Sequence, residues 1–195
     1  MFIDFLPMLL INMAAGLFNL AHFVYSGLDS ENKKNWAPGF LISGLIAAVG
    51  GFYIVFVWPL PGSYNIAFGE LSVLLGAAFL GAAFALVMNY ELHSVTTYGF
   101  FGGLASIVTG ARIINLQMTS GPYFSGTGFI LTGLCGIMSS VALYYRSNKV
   151  IRNTGALVIV IAAMIWTFTG VMGLWGHLES FSKWTPHTMQ QAQIK

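Results

Sequence analysis

Charge is what this sequence has least of. Only 7% of its 195 residues are Asp, Glu, Lys or Arg, eight basic against six acidic. A soluble domain carries about 25%. So few charges cannot cover a water-facing surface, which excludes a soluble globular fold. With 56% hydrophobic residues and a mean hydropathy of +0.76, disorder is excluded too. A net charge of +2 gives no basic footprint for nucleic acid. The single cysteine, Cys135, excludes an internal disulfide framework and a cysteine-built metal site. No P-loop, no GxSxG and no HxxxH or ExxH within an apolar run is present. Glu179, two residues from His177, is the acid best placed to orient a histidine at the edge of an apolar run. That is too little for a hydrolase, and the chain reads as a non-enzyme. Solenoid repeats are missing as well.

What remains is a set of long apolar runs. Six are near the ~20 residues that cross a bilayer as helix, at roughly 5–27, 37–59, 67–89, 95–118, 126–146 and 152–178. They far exceed the ~10-residue alternating strands of a membrane barrel. The fold class is therefore all-α: a polytopic six-helix transmembrane bundle spanning 1–179, with a polar C-terminal tail over 180–195. The opening MFIDFLPMLLINMAAG lacks a basic n-region and reads as a first span, not a cleaved signal. The breaks between runs are polar or carry prolines that stop a helix, as in WPLPGSYN.

Lysine and arginine set the expected orientation. The first, third and fifth loops hold Lys33, Lys34, Arg146, Lys149 and Arg152, whereas the second and fourth hold none and the tail has Lys183 and Lys195. The positive-inside rule places the odd loops in the cytoplasm and both termini outside. Trp58, Tyr64, Tyr123, Trp175 and Trp184 then fall at the outer interface, and Tyr25, Trp36, Tyr144 and Tyr145 at the inner one. Glycines such as Gly44, Gly76, Gly103 and Gly110 lie at spacings that let helix backbones approach. GFxxxGL occurs at 39–45 and at 128–134, a hint of internal duplication.

Intramembrane polar groups carry most of the functional information in such a chain. Glu70 and Arg112 lie about 6–9 Å inside the outer ends of consecutive spans, so an ion pair is expected, with Asn65, Asn115 and Gln117 completing its hydrogen bonds. It serves as a helix lock or as the wall of an outer vestibule. Asn12, Ala15, Gly16, Asn19 and His22 share one face of the first helix. That stripe suits either a path for a polar neutral solute or amide bonds to neighbouring helices. Trp166, Thr169, Gly170, Gly173 and His177 share a face of the last helix, as an aromatic-walled path or a packed seam. Histidine also raises haem b. A bis-histidine site needs two histidines facing each other at one depth, and His22 with His93 is the candidate pair.

The segment Trp58-Pro59-Leu60-Pro61-Gly62-Ser63-Tyr64-Asn65-Ile66-Ala67-Phe68-Gly69-Glu70 resembles the signature of an uncharacterised family of small prokaryotic multipass membrane proteins. The opening MFIDFLPMLLINM and the APGF before the second span resemble it too. That resemblance implies no activity. More distantly, the chain is similar to the AmiS/UreI family of amide transporters and urea channels. The similarity lies in length, six spans, and a block of Phe68-Gly69, Leu74-Leu75, Phe79-Leu80 and Ala82-Ala83 followed by Tyr98 and Phe101. It implies a protomer with its own pore in a ring of subunits. The long histidine-bearing outer loop of the urea channels is missing, so acid gating is not implied, and Arg112 has no counterpart in that family.

The resulting expectation is a plasma-membrane channel or facilitator for a small polar, mostly neutral solute such as urea, a short amide or ammonia. It works as a homo-oligomer in the lipid bilayer without a resident cofactor. Asn12, Asn19 and His22 would replace water hydrogen bonds. Phe79 and Trp166 would form constrictions. Glu70 and Arg112 would shape the outer mouth, and Asn115 and His177 are further candidates for lining the pore or binding solute. The alternative is an accessory or scaffold subunit of a membrane complex, respiratory in one version and carrying haem b on His22 and His93.

Overall fold

The structure, a computed structural model, describes residues 5–182 and 184. Most of the expected polar tail, including His187 and Lys195, lies outside the described residues. Among the described residues the chain is all-helical, and six helices are long and apolar enough to span a membrane.

Helix α1 runs Leu6–His22 and widens into a π turn, Phe23–Gly27. A 3-10 turn, Lys33–Trp36, leads into α2, Ala37–Val57. A π segment, Asn65–Glu70, leads into α3, Leu71–Met88. Then follow α4, His93–Leu116, α5, Pro122–Tyr144, and α6, Lys149–Ser180. The expected spans shift by only a few residues. The fifth starts at Pro122 and not near 126, because a first-turn proline begins a helix at no cost in hydrogen bonds. Pro7 and Pro38 do the same for α1 and α2. At α6 the Asn148 carboxamide caps the first turn by accepting from the backbone N–H of Val150 and Ile151 at 3.0 and 3.2 Å.

Each helix packs on its chain neighbours, and α6 closes back on α1, so the six form a ring. Three contacts are extensive: α1 with α6, α2 with α3, and α4 with α5. Glycines explain two of them directly. A Cβ added at Gly103 would lie 2.5 Å from the Gly133 carbonyl oxygen, and one at Gly110 2.5 Å from that of Gly126. On the other pair, a Cβ at Gly76 would lie 2.5 Å from the Ala48 nitrogen. Only glycine permits backbones this close. The contact of α3 with α4 is the slightest in the ring.

Two polar devices fix the ends. At the end holding Arg152, its guanidinium donates to the carbonyls of Val24 (3.1 Å), Tyr25 (2.6 Å) and Arg146 (3.2 Å) and pairs with Asp29. The π turn frees carbonyls that an α-helix would use, and Arg152 satisfies two of them. At the end holding Pro59, the fully buried Asn65 carboxamide accepts from the Leu60 N–H at 2.8 Å and donates to the carbonyls of Leu60 and Gly62. Gly62 takes a left-handed φ of 48°, which the turn needs.

Candidate functional site

The ring encloses a cavity of about 150 Å³. It extends from Leu6 and Phe68, near the Pro59 end, to Leu28, Leu92 and Leu143, near the Arg152 end. Its walls come from α1 to α5, and α6 contributes none of the lining. Two rows of touching aromatic rings cross the interior. One is Trp36, Phe23, Phe40 and Phe79, with ring centroids 5.4–5.8 Å apart in succession. The other is Tyr64, Phe68, Phe129 and Trp166, at 6.0, 5.3 and 5.0 Å. Phe40 and Phe129 are the phenylalanines of the two GFxxxGL strings, and both reach the cavity. The second glycine of each string, Gly44 or Gly133, faces a neighbour's backbone. The two copies therefore play the same packing role.

The cavity is apolar in chemistry as well as composition. Its hydroxyls are mostly spent on the helices themselves. Ser106 donates to the Phe129 carbonyl at 2.7 Å, Ser139 to that of Cys135 at 2.6 Å, and Thr96 to that of His93 at 3.0 Å. Thr132 donates to the Gly128 carbonyl and accepts from the Trp166 indole. Ser72 and Tyr98 hold the remaining lining hydroxyls. Apolar cavities of this size stay dry and accept apolar guests.

Of the residues expected at a pore, Phe79 lines the cavity, 5% exposed. The others do not. Asn12 donates its amide to the Ser43 carbonyl at 2.9 Å, and Asn19 to that of Trp36 at 3.3 Å. The amide stripe faces α2 and locks α1 to it, so it is no polar path, because its donors are already committed. His22 is exposed, its ring edge-on to Trp36 at 5.5 Å. Trp166 is buried behind Phe129 and donates to Thr132 at 2.7 Å, a wall support and not a constriction. The α6 stripe packs on α1. A Cβ at Gly170 would meet Ile11 at 2.8 Å, and one at Gly173 would meet Pro7 at 3.2 Å. His177, at the end of that stripe, lies edge-on to Phe181 at 6.2 Å.

The expected Glu70–Arg112 pair does not form. Both side chains are exposed, and Arg112 donates to Asn115 at 2.7 Å instead. The ion pairs among the described residues are Asp29 with Arg152 and Glu91 with His93. Register is the reason. A Cβ at Gly102 would meet Leu74 at 3.8 Å, and one at Gly81 would meet Val95 at 3.5 Å. Carried outward in antiparallel register, Glu70 comes level with Ser106, and Arg112 with Tyr64. The two charges are thus offset by six residues, about 9 Å. Counting depth from each helix's own end hid this offset, because α4 is displaced outward relative to α3. Asn65, expected beside them, is occupied in its own loop. Gln117 donates to the Ile114 carbonyl at 2.7 Å.

His22 and His93 do not form a haem pair. They sit on α1 and α4, which are separated in the ring by two helices on either side, and each has a different neighbour, Trp36 or Glu91. No cluster of three His, Cys, Asp or Glu side chains fit for a metal occurs among the described residues.

Sequence reasoning missed two residues. Arg152 counted as a loop charge, yet it is 7% exposed and holds α6 to the end of α1. Its place four residues after the capping Asn148 signals that it already lies inside the helix. Asn65 organises the turn that the two prolines begin. Its three hydrogen bonds tie this loop together, with Leu60 buried beneath it.

No curated protein and no solved structure matches the chain. A family model does match, over residues 1–180. The chain belongs to the family described as "Protein of unknown function (DUF981)".

Proposed function

We propose that this protein is a membrane channel or facilitator for a small, mostly neutral solute, with the interior cavity as its conduit. One observation carries the reading: an apolar cavity runs through the ring and reaches residues near both of its ends. Phe79 and Phe40 on one row, and Phe68 and Phe129 on the other, form its constrictions. The similarity to the AmiS/UreI family supports the same class of function.

The lining sets the solute. With most of its hydroxyls committed, the wall offers few partners to a molecule that sheds its water. Each hydrogen bond lost without replacement costs about 1–3 kcal/mol. Urea and amides lose several, and ammonia loses few. The ammonia-like end of the expected range therefore fits best, and ions are excluded by desolvation. The expected orientation puts the Pro59 end, with Arg112 and Asn115, at the outer face of the plasma membrane.

A second reading, an accessory or scaffold subunit of a membrane complex, is favoured by Glu70. Among the described residues this carboxylate has no hydrogen-bond or ion-pair partner, and it shares an outward stripe with Ile66, Ala77 and Phe84. Charge on a lipid-facing stripe is costly, and a neighbouring subunit would relieve it.

Proteoliposome flux separates the solutes. Ammonia entry, read as internal pH, should exceed that of protein-free vesicles, while urea and acetamide should stay near the protein-free rate. If no solute exceeds the protein-free rate, the conduit reading fails. If urea is fastest, the path is polar and lies elsewhere.

A further inference from the structure

The weakest seam in the ring is also an opening in the wall. Tyr98 lines the cavity and is 46% exposed, so the cavity reaches the outer surface of the bundle there. In the α3–α4 register Tyr98 comes level with Ala78, another lining residue. One turn further, Leu74 faces Gly102, and both line the cavity. Each of these two lies nine residues, about 13 Å, from the start of its own helical rod, and the rods start at opposite ends. The opening is therefore far from both headgroup layers of a ~30 Å hydrocarbon core. Nothing but lipid tails and molecules dissolved among them is available at that depth.

Glycine is used differently here than elsewhere. On α4, Gly103 and Gly110 press on α5. A Cβ at Gly99 would meet nothing within 4 Å, and one at Gly102 meets only the Leu74 Cβ at 3.8 Å. These two do not serve close packing, and they leave the seam unfilled. The cavity behind them is apolar, its hydroxyls are largely committed, and its size suits an apolar guest.

We propose that the α3–α4 seam is a lateral portal through which a hydrocarbon chain of the bilayer enters the interior cavity and binds there. The guest is the tail of a membrane lipid. Its chain passes between Ala78 and Tyr98 and lies against Phe79 and Phe129. This goes beyond the conduit reading and stands without it. Where both hold, the chain and the solute compete for one space, and tail occupancy closes the conduit.

The test uses the whole protein in vesicles containing a phosphatidylcholine with a diazirine on its acyl chain. After irradiation, labelled residues are mapped by mass spectrometry. The expected result is labelling of the interior Phe79 and Phe129 alongside the outward-facing Phe101 and Val108. The double variant G99L/G102L should lose the interior labels and keep the outward ones. Gly99→Leu alone, at the position with open space, serves if the double variant does not fold, and it should reduce interior labelling. Labels confined to outward residues in the unaltered protein would overturn the proposal. So would interior labelling that these variants leave unchanged. Solute flux is not part of the readout, so a failed portal and a failed conduit are separate outcomes.

Discussion

Arg152 shows what one side chain does in a bundle with so few charges. Its guanidinium holds the carbonyls of Val24, Tyr25 and Arg146 while Asp29, whose side chain is 57% exposed, sits at its outer edge. Most of its contribution lies in the carbonyls, since an ion pair with one solvated partner is worth little. Arg152→Met should therefore cost about 3 kcal/mol, because it strips a charged donor from three carbonyls at once, that of Val24 buried. Asp29→Asn should cost less than about 1 kcal/mol. Thermal unfolding in detergent checks both, and equal losses would contradict this assignment. Asn65→Ala strips partners from the Leu60 N–H and carbonyl and from the Gly62 carbonyl, and should cost about 2–3 kcal/mol in the same measurement. Both residues stand out in the sequence as polar. Their tasks do not, because a charge or amide declares its chemistry and not its partner.

At the scale of the element, hydropathy and proline placement made the six helices legible. A run of ~20 apolar residues has one stable answer in a bilayer, since every backbone group must be bonded within the segment. The direction in which each glycine points was not legible. Gly99, Gly102, Gly103 and Gly110 look alike in the sequence, yet two of them weld α4 to α5 and two leave a seam open. That difference depends on rotation about the helix axis, which an apolar helix with small residues on several faces does not encode. Gly103→Ala should be destabilising by about 1–3 kcal/mol, since the Gly133 carbonyl it would meet is backbone and cannot move aside. Gly99→Ala should be neutral or stabilising by up to about 1 kcal/mol, through helix propensity. Paired melting curves of the two variants check this, and a reversed order would contradict the seam assignment. The α3–α4 register was hidden as well, and it separates Glu70 from Arg112.

At the scale of the whole molecule, the ring reverses the roles expected for its polar and apolar residues. The amides of Asn12 and Asn19 hold helices together, and phenylalanines line the space within. Phe79, expected at a constriction, lies on the cavity wall. The other expected pore residues resolve into helix locks, wall supports or outward-facing groups. The reason is collective: a cavity is a property of six packed helices, and no single helix's stripe reveals which side faces inward. Under the proposed function, solute crosses through this phenylalanine-lined interior. Ammonia flux into vesicles holding matched amounts of folded protein, unaltered or Phe79→Trp, tests it most directly. Flux should exceed that of protein-free vesicles for the unaltered protein and fall toward the protein-free rate for Phe79→Trp. Flux that Phe79→Trp leaves unchanged, or no flux above protein-free vesicles at all, would contradict it.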